Sequence, residues 1–173
     1  MNLETMPFPP QVRQRDYRQL LLLLSALVVL LDRLSKLWIV HHIKSGASIT
    51  VIPGVFRLTH VLNSGAAFSM FADSRPGVVR LSLIAFSVVA VLIVLAMIWR
   101  TGRSLNPSTV ALALILGGAI GNLYDRIRLY YVIDFLAVKI VHYDWPDFNV
   151  ADSCIVIGAC LLLLEIFRTR PVE

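Results

Sequence analysis

The sequence predicts an all-α membrane protein with four transmembrane helices and a small extracytoplasmic β-sheet between the first two helices. Of its 173 residues, 57% are hydrophobic and 16% are charged, a composition far from that of a soluble domain. Four apolar runs approach the roughly 20 residues that a helix needs to cross about 30 Å of hydrocarbon. Because helices satisfy their own backbone polar groups in lipid, a four-helix bundle is the natural arrangement.

The four runs cover about residues 20–40, 78–99, 107–124 and 150–167. The first contains charged residues and the fourth is slightly short, but both are interpreted as spans. Residues 1–17 are polar and contain prolines, which predicts a disordered cytoplasmic tail. Residues 18–173 then form a single four-span domain, in which Pro107 opens the third helix and Ser108 or Thr109 caps it.

The segment between the first two spans favours strands rather than a helix. It reads "ASITVIPGVFRLTHVLNSG", and its β-branched residues flank the turn signal Pro53-Gly54. We therefore expect a small sheet at about residues 47–70. Basic residues cluster at 13–18, 100–103 and 168–170, which places both termini in the cytoplasm and the sheet outside. Such flanks beside anionic lipid explain the net charge of +5 without nucleic acid.

Several polar residues lie inside the predicted spans. A charge at a helix centre in the bilayer costs roughly 2.5 to 3.5 kcal/mol, so each is a candidate for function. Asp32 and Lys36 share a helix face, where they either neutralise each other or organise a nearby site. Arg33 points elsewhere and is expected to snorkel or to join a polar network. Gly117 and Gly121 form a G-x-x-x-G pattern, which favours close helix packing.

Two short motifs each allow two interpretations. In "GNLYDR", Asn122 shares a helix face with Asp125 and with Arg126, within about 6 Å of axial rise. That cluster fits pairing for stability and support of a site equally well. In "LNSGAAF", Asn63 and Gly65 predict a turn. The same residues would also supply donors to something bound at the membrane face.

Two aspartates flank the last polar segment. Asn149 and Asp152 stand at i and i+3 before the fourth span, as an N-cap and a first-turn acid would. Asp134 lies in the apolar "VIDFL", where neither a turn nor a cap explains it. Burial would raise its pKa, and a nearby second carboxylate would split the two values, so that only one keeps its proton.

Such a carboxylate pair suits peptide hydrolysis by water, with one general base and one general acid. Spacing alone does not say which of the five aspartates between residues 125 and 152 form the pair, although Asp144 and Asp147 look solvated. The histidines show no metal-binding spacing, and no G-x-S-x-G stands near a base. Cys154 and Cys160 are interpreted as packing residues. We expect no metal and no cofactor.

Five motifs together resemble bacterial lipoprotein signal peptidase, also called signal peptidase II: "DRLSK" (32–36), "NSGAAF" (63–68), "GGAIGNLYDR" (117–126), "VIDF" (132–135) and "FNVADS" (148–153). The resemblance implies an inner-membrane aspartic peptidase that cleaves prolipoproteins just before a diacylglyceryl-modified cysteine, at the outer face. It also implies that Asp134 and Asp152 are the catalytic dyad. The positions implied to support the dyad or bind substrate are Asp32, Lys36, Asn63, Gly65, Asn122, Asp125, Arg126 and Asn149.

Two other classes of function remain open from the residues alone. A small carrier could use Asp32, Lys36 and Asp125 as an ion path, although carriers usually show repeat symmetry. A scaffold protein could pack through Gly117 and Gly121. The peptidase hypothesis implies prolipoprotein substrates and membrane lipid as partners.

Overall fold

The computed structural model describes residues 15–65 and 76–168, which form four helices and four strands. The helices are α1 (Arg18–His42), α2 (Pro76–Thr101), α3 (Pro107–Arg128) and α4 (Val150–Arg168). The strands are β1 (Ser48–Ile52), β2 (Phe56–Asn63), β3 (Val132–Ile140) and β4 (Tyr143–Asp144). Most of the predicted tail, and residues 66–70 of the predicted sheet, lie outside the described residues.

Helix α3 begins with a complete capping box. The N-cap is Asn106, whose side chain accepts from Thr109 N at 2.9 Å, while Asn106 N donates to Thr109 Oγ1 at 3.1 Å. Pro107 follows as the first helical residue, where its missing N–H costs nothing. The prediction that Ser108 or Thr109 is the N-cap was therefore wrong, because the N-cap lies two or three residues earlier, at Asn106. Thr109 instead completes the capping box as its N3 residue.

Glycines let the neighbouring helices approach α3 closely. A Cβ on Gly117 would lie 2.6 Å from Val28 Cβ in α1, and one on Gly158 of α4 would lie 2.7 Å from Ala111 O in α3. Real Cβ atoms do not sit that close, so these contacts require glycine. Helices α1 and α4 thus pack directly against α3, as the G-x-x-x-G spacing predicted.

Three of the described helices are long and apolar enough to cross a membrane: Gly77–Thr101, Pro107–Arg128 and Val150–Arg168. Helix α1 has 25 residues but carries more charge. Its charged side chains Asp32 and Lys36 are fully buried, while leucines such as Leu23 and Leu27 are exposed. Asp32 and Lys36 in the middle of α1 therefore face the protein interior, and the exposed residues around them are mostly apolar.

The sheet is antiparallel with strand order β1-β2-β3-β4. The hairpin β1-β2 lies between α1 and α2, as predicted, but half of the sheet comes from the segment between α3 and α4. Strand β3 was not predicted, although "VIDFLAVKI" is rich in β-branched and aromatic residues typical of a strand. A predicted sheet confined to the segment between the first two helices was therefore incomplete.

Candidate active site

The sheet and α4 bring two aspartates to one end of the helix bundle. Asp134 lies in β3, where it pairs with Val61 of β2 and is 2% exposed. The β2–β3 register shifts just before this pair, between Leu58 and Val61. Such bulges locally twist a strand and re-aim side chains. Asp152 lies in the first turn of α4.

Asn149 contacts both aspartates at once. Its side-chain Nδ2 donates to Asp134 Oδ1 at 2.7 Å. Its Oδ1 accepts from the backbone N of Asp152 at 2.9 Å, and its own N–H donates to Asp152 Oδ2 at 3.3 Å. The second and third contacts form a capping box at the start of α4. The residue that begins the helix therefore also fixes the spatial relation between the two carboxylates.

Asn63 holds the other oxygen of Asp134. Its Nδ2 donates to Asp134 Oδ2 at 2.9 Å, and its Oδ1 accepts from Gly65 N at 2.8 Å. The latter bond closes a turn in which Gly65 adopts a φ of 87°, a left-handed conformation that favours glycine. Because the turn engages the amide oxygen, the NH₂ group must face the carboxylate. The turn predicted for "LNSGAAF" is therefore present at Asn63 and Gly65, and the donor that Asn63 supplies is directed at Asp134.

Asn122 reaches Asp152 from α3. Its Nδ2 donates to Asp152 Oδ1 at 2.7 Å, while its Oδ1 accepts from Lys36 Nζ and from Asn149 Nδ2, both at 3.2 Å. Two donors on the oxygen fix the amide orientation, so its NH₂ group faces Asp152.

Lys36 lies at the centre of the buried ionic cluster. Its ammonium group lies 2.8 Å from Asp32 Oδ2 and 2.8 Å from Asp125 Oδ2, in addition to its bond to Asn122. Asp32, Lys36 and Asp125 are each 0% exposed. The three acceptors satisfy all three ammonium hydrogens, so the buried group has no unpaired donor.

The two acidic members of the cluster also bind backbone. Asp32 Oδ1 accepts from Ala151 N at 3.1 Å, so it satisfies one of the free N–H groups in the first turn of α4. Asp125 Oδ2 accepts from Ile133 N at 3.4 Å, next to Asp134. Each carboxylate therefore binds the backbone of a residue next to Asp134 or Asp152.

Burial alters the protonation of Asp134, which lies outside the helices. The pKa of this carboxyl is raised to about 6; loss of hydration is the largest cause, and the charge of Asp152 contributes to the rise. Hydrogen bonds from Asn63 and Asn149 and the charge of Lys36 oppose the rise. A carboxyl that keeps its proton into the mildly acidic range beside a second carboxylate can act as a general acid.

The remaining predicted residues lie at different distances from this arrangement. Arg126 is half-buried and faces the charges of Asp134 and Asp152, but forms no hydrogen bond or ion pair within the described residues. Asp144 is exposed and pairs with Lys139 at 3.2 Å. Asp147 is half-buried, and burial raises its pKa, so the expectation that it is solvated was only partly right.

Arg33 was not among the predicted site residues and was expected to point elsewhere, but of its two predicted roles, snorkelling or joining a polar network, the structure shows the second. Its Nη1 forms an ion pair with Asp125 Oδ1 and its guanidinium lies 4.5 Å from the centroid of the Tyr124 ring. The signal was present in the sequence, because Arg33 stands three residues before Lys36 and i, i+3 residues share a helix face.

Comparisons with known proteins identify the family of this chain. The family described as signal peptidase (SPase) II matches residues 24–168. A lipoprotein signal peptidase of Pseudomonas putida is 47% identical over 156 residues, 87% of this chain and 88% of that protein. One from Alteromonas mediterranea is 44% identical over 145 residues, 84% of this chain and 79% of that protein.

Two solved structures, both described as a bacterial membrane enzyme determined by the in meso method, share the fold. One aligns with a TM-score of 0.79 at 27% identity and covers 92% of this chain and 100% of its own. The other has a TM-score of 0.77 at 26% identity and covers 92% and 98%. On the family match and on these identities, the chain belongs to the signal peptidase II family and is a membrane aspartic peptidase.

Proposed function

We propose that this protein removes the signal peptide from prolipoproteins by cleaving before the diacylglyceryl-modified cysteine, and that Asp134 and Asp152 activate the attacking water. The observation that carries the assignment is the double contact of Asn149, which donates to Asp134 at 2.7 Å and caps α4 through Asp152 at 2.9 Å. Among the five aspartates between residues 125 and 152, these two alone are linked by one intervening side chain in the described residues.

In the proposed reaction the two carboxyl groups carry one proton between them, which is on Asp134 at the start. The ionised Asp152 accepts a proton from water, and the oxygen of that water attacks the carbonyl carbon of the residue before the cysteine. Protonated Asp134 donates to the carbonyl oxygen, which gives a neutral tetrahedral intermediate. Asp152 then gives its proton to the leaving nitrogen while Asp134 takes a proton from a hydroxyl of the intermediate. The carbon–nitrogen bond breaks, the cysteine amine is released, the signal peptide leaves with a new carboxyl group, and both aspartates return to their starting states.

The membrane arrangement is part of the proposal. All four helices cross the inner membrane, both termini are cytoplasmic, and the sheet lies at the outer surface. The apolar outward face of α1 supports its assignment as a span. In this arrangement the dyad stands at the end of the bundle where a precursor emerges from the membrane. The carrier alternative is weaker, because Asp32, Lys36 and Asp125 contact one another rather than line a path.

The test is cleavage of a diacylglyceryl-modified precursor by purified protein in detergent or lipid. Replacing either dyad residue should abolish the mobility shift of the precursor while the protein still folds, since each carboxyl has a separate role. The variants are Asp134→Asn and Asp152→Asn. Asp144→Asn is the matched control, because Asp144 is exposed and forms its ion pair with Lys139, and this variant should cleave normally. Unchanged cleavage by either dyad variant would contradict the assignment.

A further inference from the structure

Arg33 is the outermost member of the buried ionic cluster. Its side chain is 21% exposed, whereas its ion-pair partner Asp125 is 0% exposed. The guanidinium also lies over the ring of Tyr124, a cation–π contact on the half-exposed edge of α3. Arg33 therefore lies between the buried cluster and the outer surface of the helices, and it does not contact the carboxylates of the proposed dyad.

Asp125 connects Arg33 to both halves of the site. Through Oδ2 it accepts from Ile133 N, the residue before Asp134. Through the same oxygen it binds Lys36, whose ammonium group also fixes the amide of Asn122 against Asp152. The position of the Asp125 carboxylate therefore affects the positions of both Asp134 and Asp152.

Arg33 determines where that carboxylate sits, because it engages the opposite oxygen, Oδ1. Without Arg33, Oδ1 would have no cationic partner, and Lys36 would be shared between Asp32 and a less well-anchored Asp125. We propose that Arg33 is a positioning residue for cleavage, which acts on the dyad through Asp125. This inference rests on the proposed dyad.

The test is a double-mutant cycle read as single-turnover cleavage rates, with enzyme in excess of a diacylglyceryl-modified precursor. In the wild-type background, we expect Arg33→Gln to lower the rate per folded molecule about tenfold, because small displacements of reacting groups are costly. The precursor concentration for half-maximal rate should change by less than about twofold, since Arg33 does not line the dyad. In an Asp125→Asn background, Arg33→Gln should change the rate by less than about twofold.

Arg33→Lys keeps a charge but loses the planar fork and the stacking on Tyr124, so its rate should lie between those of wild type and Arg33→Gln. Arg128→Gln removes an exposed arginine from the same end of α3 and should cleave as wild type does. An equal loss from Arg33→Gln in both backgrounds would overturn the proposal, because Arg33 would then act independently of Asp125. So would an unchanged rate per folded molecule.

If Arg33→Gln does not yield folded protein, the same cycle with Arg33→Lys decides. A loss of about threefold in wild type and none with Asp125→Asn supports the proposal, and equal effects overturn it. Failure of the dyad is distinguishable, because it would appear as cleavage by Asp134→Asn or Asp152→Asn, whatever Arg33 does.

Discussion

Three asparagines orient the carboxylates of the proposed dyad in the same way. In each, a hydrogen bond to the amide oxygen fixes which way the amide faces, so that its NH₂ group points at Asp134 or Asp152. Gly65 N does this for Asn63, Lys36 for Asn122, and Asp152 N for Asn149. Since amides donate and carboxylates accept, each asparagine stabilises the ionised form and fixes the carboxylate orientation together.

Replacements of Asn149 separate its two roles. Serine is also a good N-cap but has no NH₂ group to donate to Asp134, whereas alanine lacks both functions. We expect Asn149→Ala to unfold more easily than Asn149→Ser by about 1 kcal/mol. Both should lose cleavage by about 10 to 100-fold, because the carboxylate is no longer held in place. Thermal unfolding in detergent and the precursor assay measure the two effects. Normal cleavage by Asn149→Ser would show that capping is the only role.

The raised pKa of Asp134 predicts a pH-dependent stability. A carboxyl whose pKa is higher in the folded state contributes stability below its unfolded value of 3.8, and that contribution is lost as the pH rises through about 6. Replacing the carboxyl removes the loss. The free energy of unfolding of Asp134→Asn relative to that of wild type should therefore be higher at about pH 7.5 than at about pH 4.5, by on the order of 2 kcal/mol.

Hydrogen bonds that the substitution breaks at both pH values lower the stability by the same amount at each, so they cancel from the difference between the two pH values. Asp144→Asn, at an exposed position, should show the same offset from wild type at either pH. A constant offset for Asp134→Asn would mean that its carboxyl titrates as it does in the unfolded chain.

At the residue scale, the identities of the polar groups could be predicted, but most of the hydrogen bonds between them could not. Asp32 and Lys36 stand four apart on one helix, so their pairing follows from helix geometry. The bond from Asp32 to Ala151 N joins residues 119 positions apart. No local period encodes such a contact, because it depends on how closely α1, α3 and α4 pack.

Helix α3 is the element on which that packing depends. Gly121 faces α1 at the level of the ionic cluster, where an added Cβ would lie 2.8 Å from Asp32 Oδ2. Asp32 cannot move away freely, because it binds both Lys36 and the first turn of α4. The small residue thus holds space for a carboxylate as well as for a helix.

We therefore expect Gly121→Ala to lower the free energy of unfolding by about 1 to 3 kcal/mol, the usual cost of overpacking. Cleavage should fall as well, since Asp32 and Lys36 would be displaced. Thermal unfolding and the precursor assay measure both. Gly77→Ala is the matched control, because nothing lies within 4 Å of a Cβ at that position of α2. A stable and fully active Gly121→Ala protein would show that the contact relaxes without consequence.

At the element scale, hydrophobic runs predicted the helices well, whereas the sheet was predicted only in part. The hairpin β1-β2 has a local turn signal at Pro53-Gly54. Strand β3 joins it from about 70 residues further along the chain, and "VIDFLAVKI" could be read as a buried apolar segment of either type. Antiparallel pairing with β2 places Asp134 beside Asn63, and that pairing is a tertiary event.

At the scale of the whole molecule, the topology depends on whether α1 crosses the membrane. Because of its charges, α1 is not among the three helices that are apolar enough to span by composition. Its charged residues Asp32 and Lys36 are buried, however, and its 25 residues extend about 37 Å at 1.5 Å per residue. Burial against α3 removes the cost of exposing these charges to lipid. Four crossings place residue 16 and the α2–α3 connection on one side and the sheet on the other. Three crossings would place residue 16 beside the sheet.

Single cysteines at exposed positions distinguish these two topologies. In a background with Cys154 and Cys160 replaced by alanine, Asp144→Cys marks the sheet, Arg103→Cys the α2–α3 connection, and Asp16→Cys the start of α1. With a membrane-impermeant maleimide on intact spheroplasts, we expect labelling at position 144 only, and labelling at 16 and 103 only after the membrane is permeabilised. Labelling of residue 16 together with residue 144 would mean that α1 does not span, and the ionic cluster would then have to sit at the outer surface.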